Sequence, residues 1–279
     1  MAHKRQEWKI RQIGVLALLL VMAGCAHKAN DAAAANSKAT AQLQAKIALD
    51  IANRERAAGE NAQAINYYRN ALALDPSVLL EASVGLGDTL LATGQPTEAA
   101  EAYREAVAQS PDYAPALNGL GVALVALGQP AAAIDPLRRG MVQSPEARAY
   151  RAYAIAEDQL GHFKTAIAQC RIGLKHFPAE QGLREDLGLS EALDGQFIRA
   201  IATMREAAAS PQAGVRDQLN LALVLGLDGR DHEAAQVAAT QLNPAEVQNN
   251  LQFYAHLRSL PATQRAALLL PAYHADAVH

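Results

Sequence analysis

Gly94-Gln95-Pro96-Thr97-Glu98-Ala99 and Gly128-Gln129-Pro130-Ala131-Ala132-Ala133 are two copies of one phrase, 34 residues apart. Its fixed points are a glycine at a turn and an alanine five residues later. The phrase recurs along the chain. Gly59, Gly94, Gly128, Gly161, Gly195 and Gly229 follow one another at intervals of 35, 34, 33, 34 and 34 residues, and the matching alanines are Ala64, Ala99, Ala133, Ala166, Ala200 and Ala234. Seven residues before each glycine stands another small residue, Ala52, Gly87, Gly121, Ala154, Gly188 or Ala222, where one helix must approach its neighbour closely. Pro76, Pro111, Pro145, Pro178 and Pro211 close five of the units by stopping a second helix. Each unit therefore reads as two short antiparallel helices, too small to make a core until pairs stack on one another.

A 34-residue helix-turn-helix period resembles the tetratricopeptide repeat. Composition agrees with that reading. With 51% hydrophobic and 19% charged residues the chain is too apolar for a disordered polymer, and two cysteines in 279 residues cannot staple a disulfide scaffold. Abundant alanine and only 5% aromatics favour closely packed helices over strands. The expected fold is all-α: a right-handed superhelical solenoid of about six helix pairs over residues 43–242, with a capping helix in 243–279. Asn243-Pro244-Ala245-Glu246 is a good helix start, and Val247, Leu251, Tyr254 and Leu257 form a stripe able to close the last pair. From Pro261, with Leu268, Leu269 and Leu270, one short helix precedes a frayed end.

The first 24 residues have a different character. Lys4, Arg5, Lys9 and Arg11 precede an apolar run from Ile13 to Gly24, well short of the roughly 20 residues that span a bilayer. This is a secretory signal. Met22-Ala23-Gly24-Cys25 resembles a bacterial lipobox, which implies cleavage before Cys25 and lipidation of its thiol. Ala26, in place of the Asp that resembles an inner-membrane retention signal, implies the periplasmic face of the outer membrane. Residues 25–42 read as a lipidated flexible tether with some helical tendency. Without residues 1–24 the chain carries 21 basic against 27 acidic residues, a net charge of −6, so the membrane is met through the lipid anchor and nucleic acid is not an expected partner.

No catalytic, cofactor or metal site is expected. His232-Glu233-Ala234-Ala235-Gln236 lacks the second histidine of a zinc-protease helix, and Gly85-Leu86-Gly87-Asp88 follows no strand and lacks a third glycine, so its glycines read as packing residues. Glu185 and Asp186 are adjacent on a helix, do not face each other, and read as surface charge. Cys170 aligns with Tyr68, Tyr103, Leu137 and Met204 of other units and reads as a buried core thiol.

Positions ten, six and three residues before each turn glycine face the concave side of such a solenoid. There the apolar stretch Val84, Leu91, Val122, Val125 and Ile155, edged by Arg148 and Arg151, reads either as side chains that the superhelix buries by turning in on itself or as the seat of an amphipathic helix from a protein partner, the reading carried forward. No small-molecule substrate is expected. A lipobox, an Ala-rich tether, six repeats and the closing segment Leu242-Asn243-Pro244-Ala245-Glu246-Val247-Gln248-Asn249-Asn250-Leu251 together resemble the TadD family, the tetratricopeptide lipoproteins of tight adherence (Flp) pilus systems. The resemblance implies a pilotin-like, non-enzymatic assembly scaffold whose partner is the pilus secretin or another pilus assembly protein. An assembly lipoprotein of another envelope pathway and a periplasmic wall-active hydrolase are the alternatives.

Overall fold

A computed structural model describes the backbone of residues 34–277 and side chains through residue 270. The signal segment, Cys25 and the start of the tether lie outside these residues. Helix α1 covers 34–57. Then follow α2 (Asn61–Leu74), a 3-10 turn (Pro76–Val78), α3 (Leu79–Ala92), α4 (Pro96–Gln109), α5 (Ala114–Ala126), α6 (Pro130–Gln143) and α7 (Ala147–Gln159). The remainder is α8 (Phe163–His176), α9 (Gln181–Leu193), α10 (Phe197–Ala208), α11 (Val215–Leu227), α12 (Asp231–Ala238), α13 (Pro244–Ser259) and α14 (Ala262–Ala277). There is no strand among the described residues.

Six pairs, α1 with α2 through α11 with α12, make the solenoid. Each first helix ends at a turn glycine with positive φ, between 67° and 81° in all six units. Glycine pays no Cβ penalty in this conformation. At Gly94 the ending is a Schellman motif: the Gly94 N–H donates to the Leu91 carbonyl and the Gln95 N–H reaches back to Leu90 at 2.8 Å. The six alanines five residues beyond the glycines are all fully buried. The small residues of the first helices have equally concrete neighbours. A Cβ added to Gly85 would lie 2.5 Å from the Tyr68 ring, and one added to Gly87 2.6 Å from the Tyr103 ring. The glycines of Gly85-Leu86-Gly87 thus make room for tyrosines.

Neighbouring first helices also pack directly on each other, α3 on α5, α5 on α7, α7 on α9 and α9 on α11. The apolar core forms two large clusters, one from Ala45 to Leu183 and one from Leu189 to Leu270. Between them a smaller cluster holds Cys170 with Ala154, Ala166, Ile167 and Leu187, and the Cys170 thiol is buried as expected.

Both ends differ from the sequence reading. Helix α1 begins at residue 34, so the second half of the stretch read as tether continues the first helix, with residues 34–40 exposed. Helix α13 starts at an Asn243–Glu246 capping box, buries Tyr254 and Leu257 and packs on α11 and α12, which is the expected cap. Helix α14 is longer than the short helix expected from Pro261, and the frayed end read after it lies outside the described residues. It spans 16 residues and packs against α7 and α9, far back along the solenoid.

Candidate partner-binding surface

The concave side is lined by the first helices, and its outer row is charged. Asp88 of α3 is the hub. Its Oδ1 accepts from the Tyr103 hydroxyl and from Arg148 Nη1 of α7, both at 2.7 Å, while its Oδ2 lies 3.4 Å from Arg56 Nη1 of α1. Arg148 also donates through Nε to Glu146 at 2.9 Å, and Glu146 accepts from Asn118 Nδ2 of α5 at 3.0 Å. One carboxylate therefore ties the first, second and fourth units together while α5 lies between them. Burial works against the Arg148 charge, but Asp88, with Tyr103 and Glu146, more than offsets it and raises the guanidinium above its ordinary value. The row is still wet: the Arg56, Arg148 and Glu146 side chains are 42%, 37% and 27% exposed.

The apolar stretch read as the partner's seat is not an open surface. Leu91, Val122, Val125 and Ile155 are buried, at 3%, 7%, 3% and 3% exposure, and Val84 is half-buried. All five belong to, or pack on, the first core cluster. The reason is the close stacking of first helices: glycines and alanines bring α3, α5 and α7 together until side chains six and three residues before the turn glycines are covered by the next helix. Arg151 is no edge contact either, since its Nε donates to the buried carboxylate of Asp186 at 2.7 Å. Of the residues singled out from sequence, Arg148, Val84 and, to a smaller extent, Arg151 keep accessible surface.

A second departure lies where the core changes from one large cluster to the other. Glu185 and Asp186, read as surface charge, are 1% and 3% exposed, beside Asp158, Ser190 and Glu191 at 2% or less. This polar seam joins α7, α9 and α11. Asp158 Oδ2 accepts from the Ser190 hydroxyl at 2.6 Å, Glu191 accepts from Arg171 and from Thr203 at 2.8 Å each, and Glu185 pairs with Arg216 at 2.9 Å. Burial pushes the Asp158 and Asp186 carboxyls up. It also drives Glu185 to about 7, helped by a hydrogen bond to Asp217 and opposed by Arg216. Sequence pattern missed the seam because these positions read as ordinary helix charges. The available signal was that positions ten, six and three before the turn glycines face neighbouring helices, and Glu185 and Asp158 occupy two of them.

Among the described residues no group of three or more His, Cys, Asp or Glu is arranged to hold a metal ion, and no helix is long and apolar enough to cross a membrane. Residues 49–114 and 84–148 match the tetratricopeptide repeat family. No curated protein matches the chain. Solved structures of similar fold include a MamA protein, at 26% identity over 59% of this chain and 90% of that one, with a TM-score of 0.52. PilF of Pseudomonas aeruginosa is 19% identical over 73% of this chain and 89% of its own, with a TM-score of 0.58. PilW, described as a widely conserved type IV pilus biogenesis factor, is 21% identical over 80% and 98% with a TM-score of 0.62. Residues 49–148 thus carry tetratricopeptide repeats, and the fold is a tetratricopeptide-repeat solenoid of the kind found in these structures.

Proposed function

We propose that this protein is an outer-membrane lipoprotein, anchored at Cys25 on the periplasmic face, that serves as a pilotin-like scaffold in assembly of a tight adherence (Flp) pilus system. It catalyses nothing and works by holding the pilus secretin or another pilus assembly protein. The observation that carries the reading is the concave charged row Arg56–Asp88–Arg148–Glu146, a rigidly held yet hydrated surface on a repeat solenoid, where complementary charge steers and orients a protein partner. The Met22-Ala23-Gly24-Cys25 leader supports the location, and the closing segment from Leu242 to Leu251 supports the pilus system. PilF and PilW lend their fold, and PilW its description as a pilus factor, to the same picture.

Two measurements test it. Cys25→Ser should release the chain from membrane fractions or leave it unprocessed. In cells that retain the native anchor, Arg56→Glu combined with Arg148→Glu should abolish copurification of the secretin while circular dichroism stays unchanged. Normal copurification by the folded double variant would remove the charged row from the reading. A gene neighbourhood with no Flp pilin and no secretin would remove the pilus assignment.

A further inference from the structure

By its place in the chain α14 ought to pair with α13, as every second helix pairs with the first helix before it. It does not. The chain breaks at Leu260-Pro261, with Leu260 extended at φ −94° and ψ 150°, and α14 crosses to α7 and α9, first helices of the fourth and fifth units. First helices line the concave side, so α14 lies in the groove. Its entry is fixed beside the α7 turn, where a Cβ on Gly161 would stand 3.1 Å from Thr263 Cγ2. Ala266, Leu269 and Leu270 are then buried at 0%, 7% and 1% in one cluster with Leu189, Ala192 and Leu193 of α9.

We infer that the groove over α7 and α9 is a helix-binding seat which α14 fills as a built-in ligand, and which an amphipathic helix of the partner takes over by displacing α14. The inference rests on the scaffold reading for the partner's existence, not for the seat itself. The occupant's chemistry follows from α14. It is an α-helix with a small residue followed three and four residues later by leucines, as in Ala266, Leu269 and Leu270, so that one narrow apolar stripe enters the groove.

Two features make α14 replaceable. Among the described side chains its docking is apolar, and the side-chain hydrogen bond from Arg265 Nε goes to the Leu260 carbonyl of its own hinge, not to the groove. By contrast, α13 is tied to the solenoid by Arg258, which pairs with Asp231 and donates to the Gly226 carbonyl. Near the α7 turn beside which α14 enters there is also an unused polar atom. Asp158 sits one helical turn before Gly161, and its buried Oδ1 has no hydrogen-bond partner among the described residues. A tethered helix has a high effective concentration, so a displacing helix needs an added contact. A hydrogen-bond donor opposite Asp158 supplies one.

The test uses the full-length chain and a fluorescent peptide of residues 261–279, with no secretin, so its outcome is independent of the scaffold reading. Leu269→Asp with Leu270→Asp should free α14 while the solenoid still unfolds cooperatively. The peptide should then bind this variant at least tenfold more tightly than it binds the unaltered chain, whose seat is filled. Equal binding to both, or no binding to the folded variant, overturns the inference. So does loss of cooperative unfolding, which would make α14 part of the core. In the unaltered chain, hydrogen exchange should be at least tenfold faster in α14 than in α7 and α9, and equal protection of the three helices would also overturn it.

Discussion

Gly87→Ala probes the packing on which the repeat depends. The new methyl carbon would stand 2.6 Å from Tyr103 Cζ and 2.8 Å from Cε1 and Cε2. Carbon atoms in good contact are about 3.5–4.0 Å apart, so ring and methyl must separate by roughly 1 Å. The ring has nowhere to go. Tyr103 is fully buried, its hydroxyl is held by Asp88 at 2.7 Å, and Gly119 of α5 presses on it from the next unit. Overpacking of this kind costs about 1–3 kcal/mol, and three-sided confinement places the site at the upper end. Alanine's better helix propensity returns about 1 kcal/mol. The net expectation is a loss of ~1–2 kcal/mol, read as a lower urea midpoint by circular dichroism. Combining Gly87→Ala with Tyr103→Leu should cost less than the two changes separately, because removing the hydroxyphenyl group frees the space the methyl needs. A Gly87→Ala midpoint equal to or above that of the unaltered chain would refute the argument.

Stability should also follow the polar seam. Glu185 is raised from an ordinary 4.5 to about 7, and Asp158 and Asp186 are raised as well. Between those values the folded chain binds more protons than the unfolded one, so the stability these groups provide is complete below pH 4.5 and declines as pH rises through 7. Urea midpoints measured from pH 5 to 8 should fall, and Glu185→Gln should flatten the curve by on the order of 1–2 kcal/mol, discounted for the half-exposed Arg216 beside it; an unchanged slope would count against the seam. The Cys170 thiol is fully buried and pushed well above its ordinary value by that burial. Iodoacetamide should modify it only after unfolding, and rapid labelling of the native chain, seen by mass spectrometry, would contradict its placement. Ala99→Glu forces a charge into a site with no exposure and should cost at least about 3 kcal/mol, lowering the helical signal at 37 °C; a midpoint within experimental error of the original would show that the alanine contact is dispensable.

The repeat was legible because its determinants are local and periodic. A left-handed turn favours glycine wherever it occurs, a tight helix crossing admits only small residues, and six copies at one spacing remove ambiguity. Pairing of α1 with α2 through α11 with α12, the Cys170 core position and the Asn243 cap followed from those rules. The concave face did not. Val122, Val125 and Ile155 occupy inward positions of their own helices, and whether an inward side chain is open or covered depends on how closely successive first helices stack, a distance no single unit encodes. The same holds for Glu185 and Asp186, whose burial arises where α7, α9 and α11 meet. Helix α14 is the extreme case: its sequence announces a helix with adjacent leucines, but its receptor is α7 and α9, about a hundred residues earlier in the chain, and only the curvature of the assembled solenoid brings them within reach.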